Sequence, residues 1–389
     1  MKALHFGAGN IGLGFVGKIL SESNCDIIFS DINQNVIDSI NNRKYYSVRI
    51  LGKNQDNISN IKNISAIHFN NPKIIKIITL VNLITTAVGP SALDKVSSLI
   101  SHGIILKFNM QSTTPLNIIA CENKMQASSI LKQYVLNKLP QKYHIYVQKY
   151  IGFVDCSIDT IIPSIVNKQM HSLLLTAENF QEWIVNITQF KGQVPKIINM
   201  QLSNNLDPFI ERKLFTLNTG HAIAAYLGWI KKCKTIYEAI LDEEIGVIVK
   251  NAMVESGKFL IKKYDFNMND HLAYINKIFL RFENPFLLDN LTRVARNPIQ
   301  KLRKEERLVK PLLGCIKYGL SCSNLAKGIA SAFFYYNKND SESMKIFSLI
   351  QSKGIKKTLS DICDLPENSE ESRLIISKYN TLHKKYFSL

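Results

Sequence analysis

Lys213, Asn218 and His221 set an amine, a carboxamide and an imidazole along one stretch of chain, at spacings of five and three residues. The preceding Leu206-Asp-Pro-Phe-Ile-Glu-Arg212 reads as the opening of a helix, with Pro208 tolerated in its first turn. At about 100° per residue, Asn218 lies roughly 140° round from Lys213 and His221 roughly 80° round, so all three can face one pocket. Burial lowers a lysine pKa, and a general base works best with a pKa near the operating pH. The trio therefore suits a lysine acting as a base beside two hydrogen-bonding groups. The same spacing also suits a solvated lysine, a polar helix position and a satisfied histidine near a helix end. The rest of the chain must decide between these readings.

The other end of the chain carries a nucleotide-binding pattern. Lys2-Ala-Leu-His-Phe6 reads as a short apolar strand, Gly7-Ala-Gly9-Asn-Ile-Gly12 follows at once, and Leu13 to Leu20 has helical periodicity. This is G-x-G-x-x-G between a strand and a helix, the context that gives the motif meaning. Gly7 permits the tight turn, Gly9 lets backbone approach a pyrophosphate, and Gly12 lets the helix lie close to the sheet. The helix N-terminus offers free N–H groups to phosphate. A second strand, Asp26 to Ser30, ends at Asp31, 19 residues after Gly12, where a carboxylate can accept hydrogen bonds from the adenosine ribose. That charge repels a 2′-phosphate and favours NAD over NADP. Asp31 also suits the N-cap of a following helix. Val81 to Thr85 and Leu116 to Ala120 read as further strands of the sheet. Thr86 and Asn123 follow them, at the strand ends where ligands of open α/β sheets bind, or where a turn residue satisfies its own backbone.

The chain has 389 residues, 46% of them hydrophobic, enough for two or three domains. Strands and helices alternate to about residue 165, and helical patterns dominate beyond about residue 195. The expected fold is an α/β N-terminal domain over residues 1–192 and a mostly α-helical domain over 193–389, joined near Phe190-Lys-Gly-Gln-Val-Pro195. The polar run from Ser360 to Glu371 reads as a loop near a final helix. The formal net charge is +17, but the lysines are dispersed and lack the aromatic interleaving of an RNA-binding face, so no nucleic-acid partner is expected. Such a surface still draws in an anionic substrate. Seven scattered cysteines without a C-x-x-C suit a reduced, cytoplasmic setting. No signal-peptide pattern and no long charge-free apolar run suggests a membrane partner. No His/Cys group has metal-ligand spacing, so no metal is expected.

A glycine-rich nucleotide unit followed by K-x-x-x-x-N-x-x-H in a helical domain resembles the polyol-specific long-chain dehydrogenases, the mannitol dehydrogenase family. The likeness is carried by Met1 to Gly12, Thr85-Thr-Ala-Val-Gly-Pro90, Asn117-Ile-Ile-Ala-Cys-Glu-Asn123, Phe190-Lys-Gly192, Phe209 to His221 and Arg281-Phe-Glu-Asn-Pro285, and it is followed to about residue 335. It implies a Rossmann-type domain and a helical domain closing a cleft over the nicotinamide. It also implies NAD-dependent interconversion of D-mannitol 1-phosphate and D-fructose 6-phosphate. Another polyol or hexuronate substrate, or a catalytically weakened NAD-binding relative, is the alternative.

Carried over position by position, the resemblance makes Lys213 the general base, Asn218 and Asn123 donors to the reacting oxygen, and His221 an orienting residue. The cofactor would be held by Ala3, Leu4, His5, Phe6, Gly7, Ala8, Gly9, Asn10, Ile11, Gly12, Leu13 and Gly14, with Asp31 and Thr86. Arg296, Lys301 and Arg307 match its basic residues for a substrate phosphate, a role suited to arginine's planar fork. The same run also reads as a solvated helix face. Leu13, Thr160 and Gln300 stand where arginine is usual, which bears on pyrophosphate binding at the first and on substrate binding or a supporting salt bridge at the others. The expected partner is a phosphorylated polyol or ketose, and the expected assembly a monomer or weak oligomer.

Overall fold

The computed structural model describes residues 1–51, 57–162, 174–285 and 289–387. The chain divides into two compact units, Met1–Leu206 and Asp207–Leu389.

The first unit is built on six parallel strands in the order β5-β2-β1-β6-β7-β8. These are β1 (Lys2–Phe6), β2 (Asp26–Asp31), β5 (Ile64–His68), β6 (Leu83–Thr86), β7 (Leu116–Ala120) and β8 (Ile151–Phe153). Central parallel strands are covered on both faces, so they read as unbroken apolar runs. In β1, Leu4 and Phe6 enter one core while Ala3 enters the other, as strand alternation requires. His5 is also buried and shares a 2.6 Å hydrogen bond with Thr85 through Nδ1. Burial pushes its imidazole pKa down to about 3 despite a hydrogen bond with the Gly7 backbone, so it is neutral at physiological pH.

Two smaller sheets complete the unit. β3 (Tyr46–Leu51) pairs antiparallel with β4 (Asn57–Ile61) and parallel with β10 (Leu174–Glu178). β11 (Glu182–Asn186) pairs antiparallel with β9 (Cys156–Asp159) and parallel with β12 (Met200–Ser203). The β11–β12 pairing carries the first unit past the Gly/Pro join near residues 190–195 to Leu206. The exposed, polar β12 lacks the apolar alternation that marks a buried strand.

Among its described residues the second unit is built of helices, with one isolated bridge between Thr235 and Asn290. The Asn218–Ile230 helix lies against the Glu243–Tyr264 and Ser323–Ala332 helices. Close approach depends on glycine. A Cβ on Gly220 would come 2.7 Å from Met253 Sδ, and one on Gly328 would come 2.5 Å from Ile223. The buried Glu255 caps the Ser323–Ala332 helix by accepting from Asn324 N, Asn324 Nδ2 and Leu325 N at 2.7–3.1 Å. At the surface, Glu244 gathers Lys231 (3.0 Å), Lys327 (3.3 Å), Lys385 (2.8 Å) and the Tyr386 hydroxyl (2.9 Å). The Ser360–Glu371 run is a loop only over residues 364–369, because the Ser341–Cys363 and Glu370–Tyr386 helices take its ends. Capping explains the difference, since Ser369 accepts from Ser372 N and starts the last helix earlier than polarity suggests. Among the described residues no helix is long and apolar enough to cross a membrane.

The Glu255 cap is testable. Glu255→Gln replaces an acceptor oxygen by an NH2 group facing donors, which should cost about 1–3 kcal/mol. Denaturant titration of the purified protein should show a lower midpoint, and an unchanged midpoint would contradict the capping role.

Candidate active site

In the first unit the strand order reverses between β1 and β6, the switch point where open α/β sheets bind ligands. Their ends are tied side by side: Ala87 N donates to Phe6 O at 2.8 Å, and Gly7 N to Ser30 O at 2.8 Å. Gly7 has φ +100°, and a Cβ there would overlap the Ala87 carbonyl. A Cβ on Gly12 would overlap the Gly7 carbonyl and come 2.6 Å from His5 Nε2. A Cβ on Gly9 would meet nothing within 4 Å. The chain's own contacts thus explain two of these glycines, while Gly9 faces open space of the kind a pyrophosphate needs. Asn10 and Ile11 are partly exposed in the same turn.

Asp31 reaches this turn. Its Oδ2 accepts from Ala8 N at 2.5 Å and its Oδ1 from Asn33 N at 2.8 Å. The N-cap of the Gln34–Arg43 helix is Asn33, which accepts from Asn35 N. The carboxylate therefore stands beside the glycine turn, where a ribose hydroxyl could meet it, and the fold suits a dinucleotide there. The other expected cofactor residues serve from behind. Ala3, Leu4, His5 and Phe6 are buried in the sheet, Leu13 is buried in the core, and a Cβ on Gly14 would come 3.0 Å from Ile162.

A buried carboxylate absent from the sequence expectations organises the second edge of this region. Glu122 accepts from the Thr86 hydroxyl at 2.7 Å, Val88 N at 3.0 Å and Gly89 N at 2.9 Å. It fixes the Thr86–Gly89 turn and commits the Thr86 side chain to the protein itself. Asn123, the next residue, is exposed.

In the second unit, Lys213 opens a π-helical turn, Lys213–Leu217, between the Asp207–Arg212 and Asn218–Ile230 helices. The Asn218 N–H donates to the Lys213 carbonyl, an i→i+5 bond. The 100° arithmetic fails across this turn. A residue five along sits nearly one turn on, so Asn218 stacks over Lys213 more closely than an α-helix allows. Two hydroxyls take carbonyls of the widened turn: Ser256 Oγ donates to Phe215 O at 2.5 Å, and Thr219 Oγ1 to Leu214 O at 3.2 Å. Lys213, Asn218 and His221 are all half-buried.

His221 has two fixed neighbours. Its Nε2 lies 3.1 Å from Asp289 Oδ2, and its ring stacks on Phe282 at 5.2 Å between centroids. Burial opposes ionisation of Asp289, but the hydrogen bond and charge of His221, followed by the charge of Arg293, outweigh it and hold the carboxyl below its usual range. Sequence reading did not single out Asp289, since nothing in the linear order links it to His221.

The three basic residues form a cluster. Lys301 Nζ donates to the Arg296 carbonyl. Burial, followed by the charges of Arg307 and Arg296, lowers the Lys301 pKa to about 8, against the opposing pull of Asp340 and Glu342. Arg307 Nε donates to Glu306 Oε2 at 3.2 Å. Arg296 is exposed, and the other two are half-buried. Helix Asn218–Ile230 holds both ends of the segment: Tyr226 Oη donates to Ala295 O at 3.0 Å, and Thr219 Oγ1 to Arg307 O at 2.6 Å. Gln300 is exposed and donates its backbone N–H to Glu342 at 3.0 Å, while the buried Thr160 hydroxyl has no hydrogen-bond partner among the described residues. Among the described residues no three His, Cys, Asp or Glu side chains gather as they would around a metal ion.

Known proteins match over the whole chain. The mannitol dehydrogenase Rossmann domain matches residues 1–199, and the mannitol dehydrogenase C-terminal domain matches residues 205–383, well beyond residue 335. The mannitol-1-phosphate 5-dehydrogenase of Buchnera aphidicola subsp. Acyrthosiphon pisum (strain Tuc7) is 64% identical over 384 residues, covering 99% of both chains. That of Buchnera aphidicola subsp. Schizaphis graminum (strain Sg) is 54% identical over 387 residues, covering 99% of this chain and all of the other. Among solved structures, a D-sorbitol dehydrogenase in substrate-free form aligns with a TM-score of 0.84 at 15% identity, over 98% of this chain and 92% of its own. Pseudomonas fluorescens mannitol 2-dehydrogenase, in a ternary complex with NAD and D-mannitol, aligns with a TM-score of 0.72 at 14% identity, over 99% and 92%. An N-terminal Rossmann unit, a helical C-terminal unit and full-length identity to these relatives make this chain an oxidoreductase of the mannitol dehydrogenase family.

Proposed function

We propose that this protein interconverts D-mannitol 1-phosphate and D-fructose 6-phosphate with NAD, using Lys213 as the general base. The observation that carries the reading is the helix Asn218–Ile230, which is joined to the lysine at one end and grips the cationic segment 295–307 through Thr219 and Tyr226. Full-length identity of 54–64% to mannitol-1-phosphate 5-dehydrogenases supports the same substrate. NAD, when bound, would accept the hydride. Asp31 and the turn around Gly9 suit its ribose and pyrophosphate, and a protein of the same fold holds NAD with D-mannitol.

In the forward direction, Lys213 as the free amine takes the hydroxyl proton while hydride leaves the same carbon. Asn218 donates a hydrogen bond to the oxygen, and that bond strengthens as negative charge builds there. Asn123 is assigned a second such bond. His221, oriented by Asp289 through Nε2, offers Nδ1 to a substrate hydroxyl or to the lysine ammonium. In the reverse direction the protonated lysine returns its proton to the carbonyl oxygen.

The phosphate would sit at Arg296, Lys301 and Arg307. Without an anion these charges repel one another, which is part of why the Lys301 pKa is low. A bound phosphate would relieve that repulsion and favour the charged lysine.

Three measurements test this reading. Lys213→Ala should lower turnover by about 10²–10⁴-fold, the usual worth of general base catalysis, while NADH binding, followed by fluorescence, persists. Near-normal turnover would remove the lysine from the mechanism. Arg296→Ala should weaken mannitol 1-phosphate far more than free mannitol, and equal loss for both would contradict a phosphate role. The third concerns pH. The folded pKa of Lys301 lies below its ordinary value, so the charge that holds phosphate fades as pH rises through about 8. Fructose 6-phosphate should therefore bind more weakly above that pH, and Lys301→Arg, always charged, should flatten the dependence. An identical slope in the variant would exclude Lys301 as its source.

A further inference from the structure

Thr219 is fully buried, and its single hydroxyl serves two carbonyls. It lies 2.6 Å from the oxygen of Arg307 and 3.2 Å from that of Leu214. Arg307 ends the cationic segment, and Leu214 follows Lys213 in the π-turn. One side chain therefore joins the backbone beside the base to the backbone of the phosphate cluster. Seven residues along the same helix, about 10 Å at 1.5 Å per residue, Tyr226 holds the start of the segment at Ala295.

We propose that Thr219 is a positioning residue for phosphate selectivity, fixing the reach between the Lys213 amine and the Arg296/Lys301/Arg307 cluster. The inference rests on the substrate reading given above. A hexitol phosphate can reach only a bounded span between its reacting carbon and its phosphate. An enzyme that uses both ends gains only if its two sites stand within that span, because misplacement by about 1 Å already weakens catalysis. A surface lysine or arginine can follow its ligand, but a backbone carbonyl pinned by a buried hydroxyl cannot. Valine has nearly the same shape as threonine and lacks the donor. Thr219→Val would release the Arg307 carbonyl while leaving every cation in the sequence.

The experiment measures kcat/KM for mannitol 1-phosphate and for free mannitol in wild type, Thr219→Val, Thr219→Ser and Arg307→Ala. In T219V the preference for the phosphorylated substrate should fall about tenfold, the effect of losing one buried hydrogen bond. Most of that loss should appear as a higher KM for mannitol 1-phosphate. T219S, which keeps the hydroxyl, should restore the preference. In the Arg307→Ala background the Thr219→Val effect on preference should shrink, since the threonine acts through that segment. Should T219V not fold, Tyr226→Phe loosens the other end of the segment and is read in the same way. An unchanged preference, an equal loss on both substrates, or full additivity with Arg307→Ala overturns the proposal. A wild-type enzyme with no preference for mannitol 1-phosphate would instead overturn the substrate reading itself.

Discussion

The bond from the Asn218 N–H to the Lys213 carbonyl closes a turn one residue wider than an α-turn, and it sets how Lys213 and Asn218 stand to one another. A widened turn leaves carbonyls out of line with the donors that normally meet them. Here Ser256 and Thr219 supply hydroxyls to two of them. The first unit shows a similar device. Residues Gly12–Gly17 are also π-helical, and the Tyr46 hydroxyl donates to the Leu13 carbonyl at 2.7 Å. In both units the residues assigned to chemistry lie at the mouth of an irregular helix whose polar backbone is satisfied by side chains from elsewhere in the fold.

Charge is handled by a related division of labour. The three cations assigned to phosphate lie on the 295–307 segment, and Asp340 and Glu342 bond to its backbone. Asp340 Oδ2 accepts from Asn297 N at 2.8 Å, and Glu342 from Gln300 N at 3.0 Å. These carboxylates accept from backbone donors and so order the segment, while their charge also pulls on Lys301. Glu122 does comparable work at the Thr86–Gly89 turn. Buried carboxylates that accept several N–H bonds are satisfied and rigidify what they hold. Each of these acids positions a loop through backbone N–H groups.

Much of the first unit was legible because its signals are local. An apolar run, three glycines and an acid 19 residues on declare a strand, a turn and a second strand end before any distant contact is known. Glycine at positions 7 and 12 could also be read, since backbone overlap forces both, whereas a Cβ on Gly9 would meet nothing in the chain. β12 could not, because its residues are exposed and polar. The trio around Lys213 was legible as residue types but not as geometry, because helical arithmetic assumes a uniform turn and the π-turn breaks that assumption. Glu122, Asp289 and Thr219 each matter here through a partner 33 to 88 positions away. Periodicity carries no record of such pairs.

The carboxylate of Glu244 is finally enclosed by Lys385 and Tyr386, made 141 and 142 residues later. Polypeptides emerge from the ribosome N-terminus first, and domains fold as units in that order. The parallel sheet of the first unit has all its strands once β8 has been made. The helical unit must wait, with its Ser323–Ala332 helix uncovered, until the Glu370–Tyr386 helix emerges to lie over it. Nascent chains halted in that interval would carry a finished nucleotide fold followed by an open helical bundle, the natural target for a chaperone or a protease.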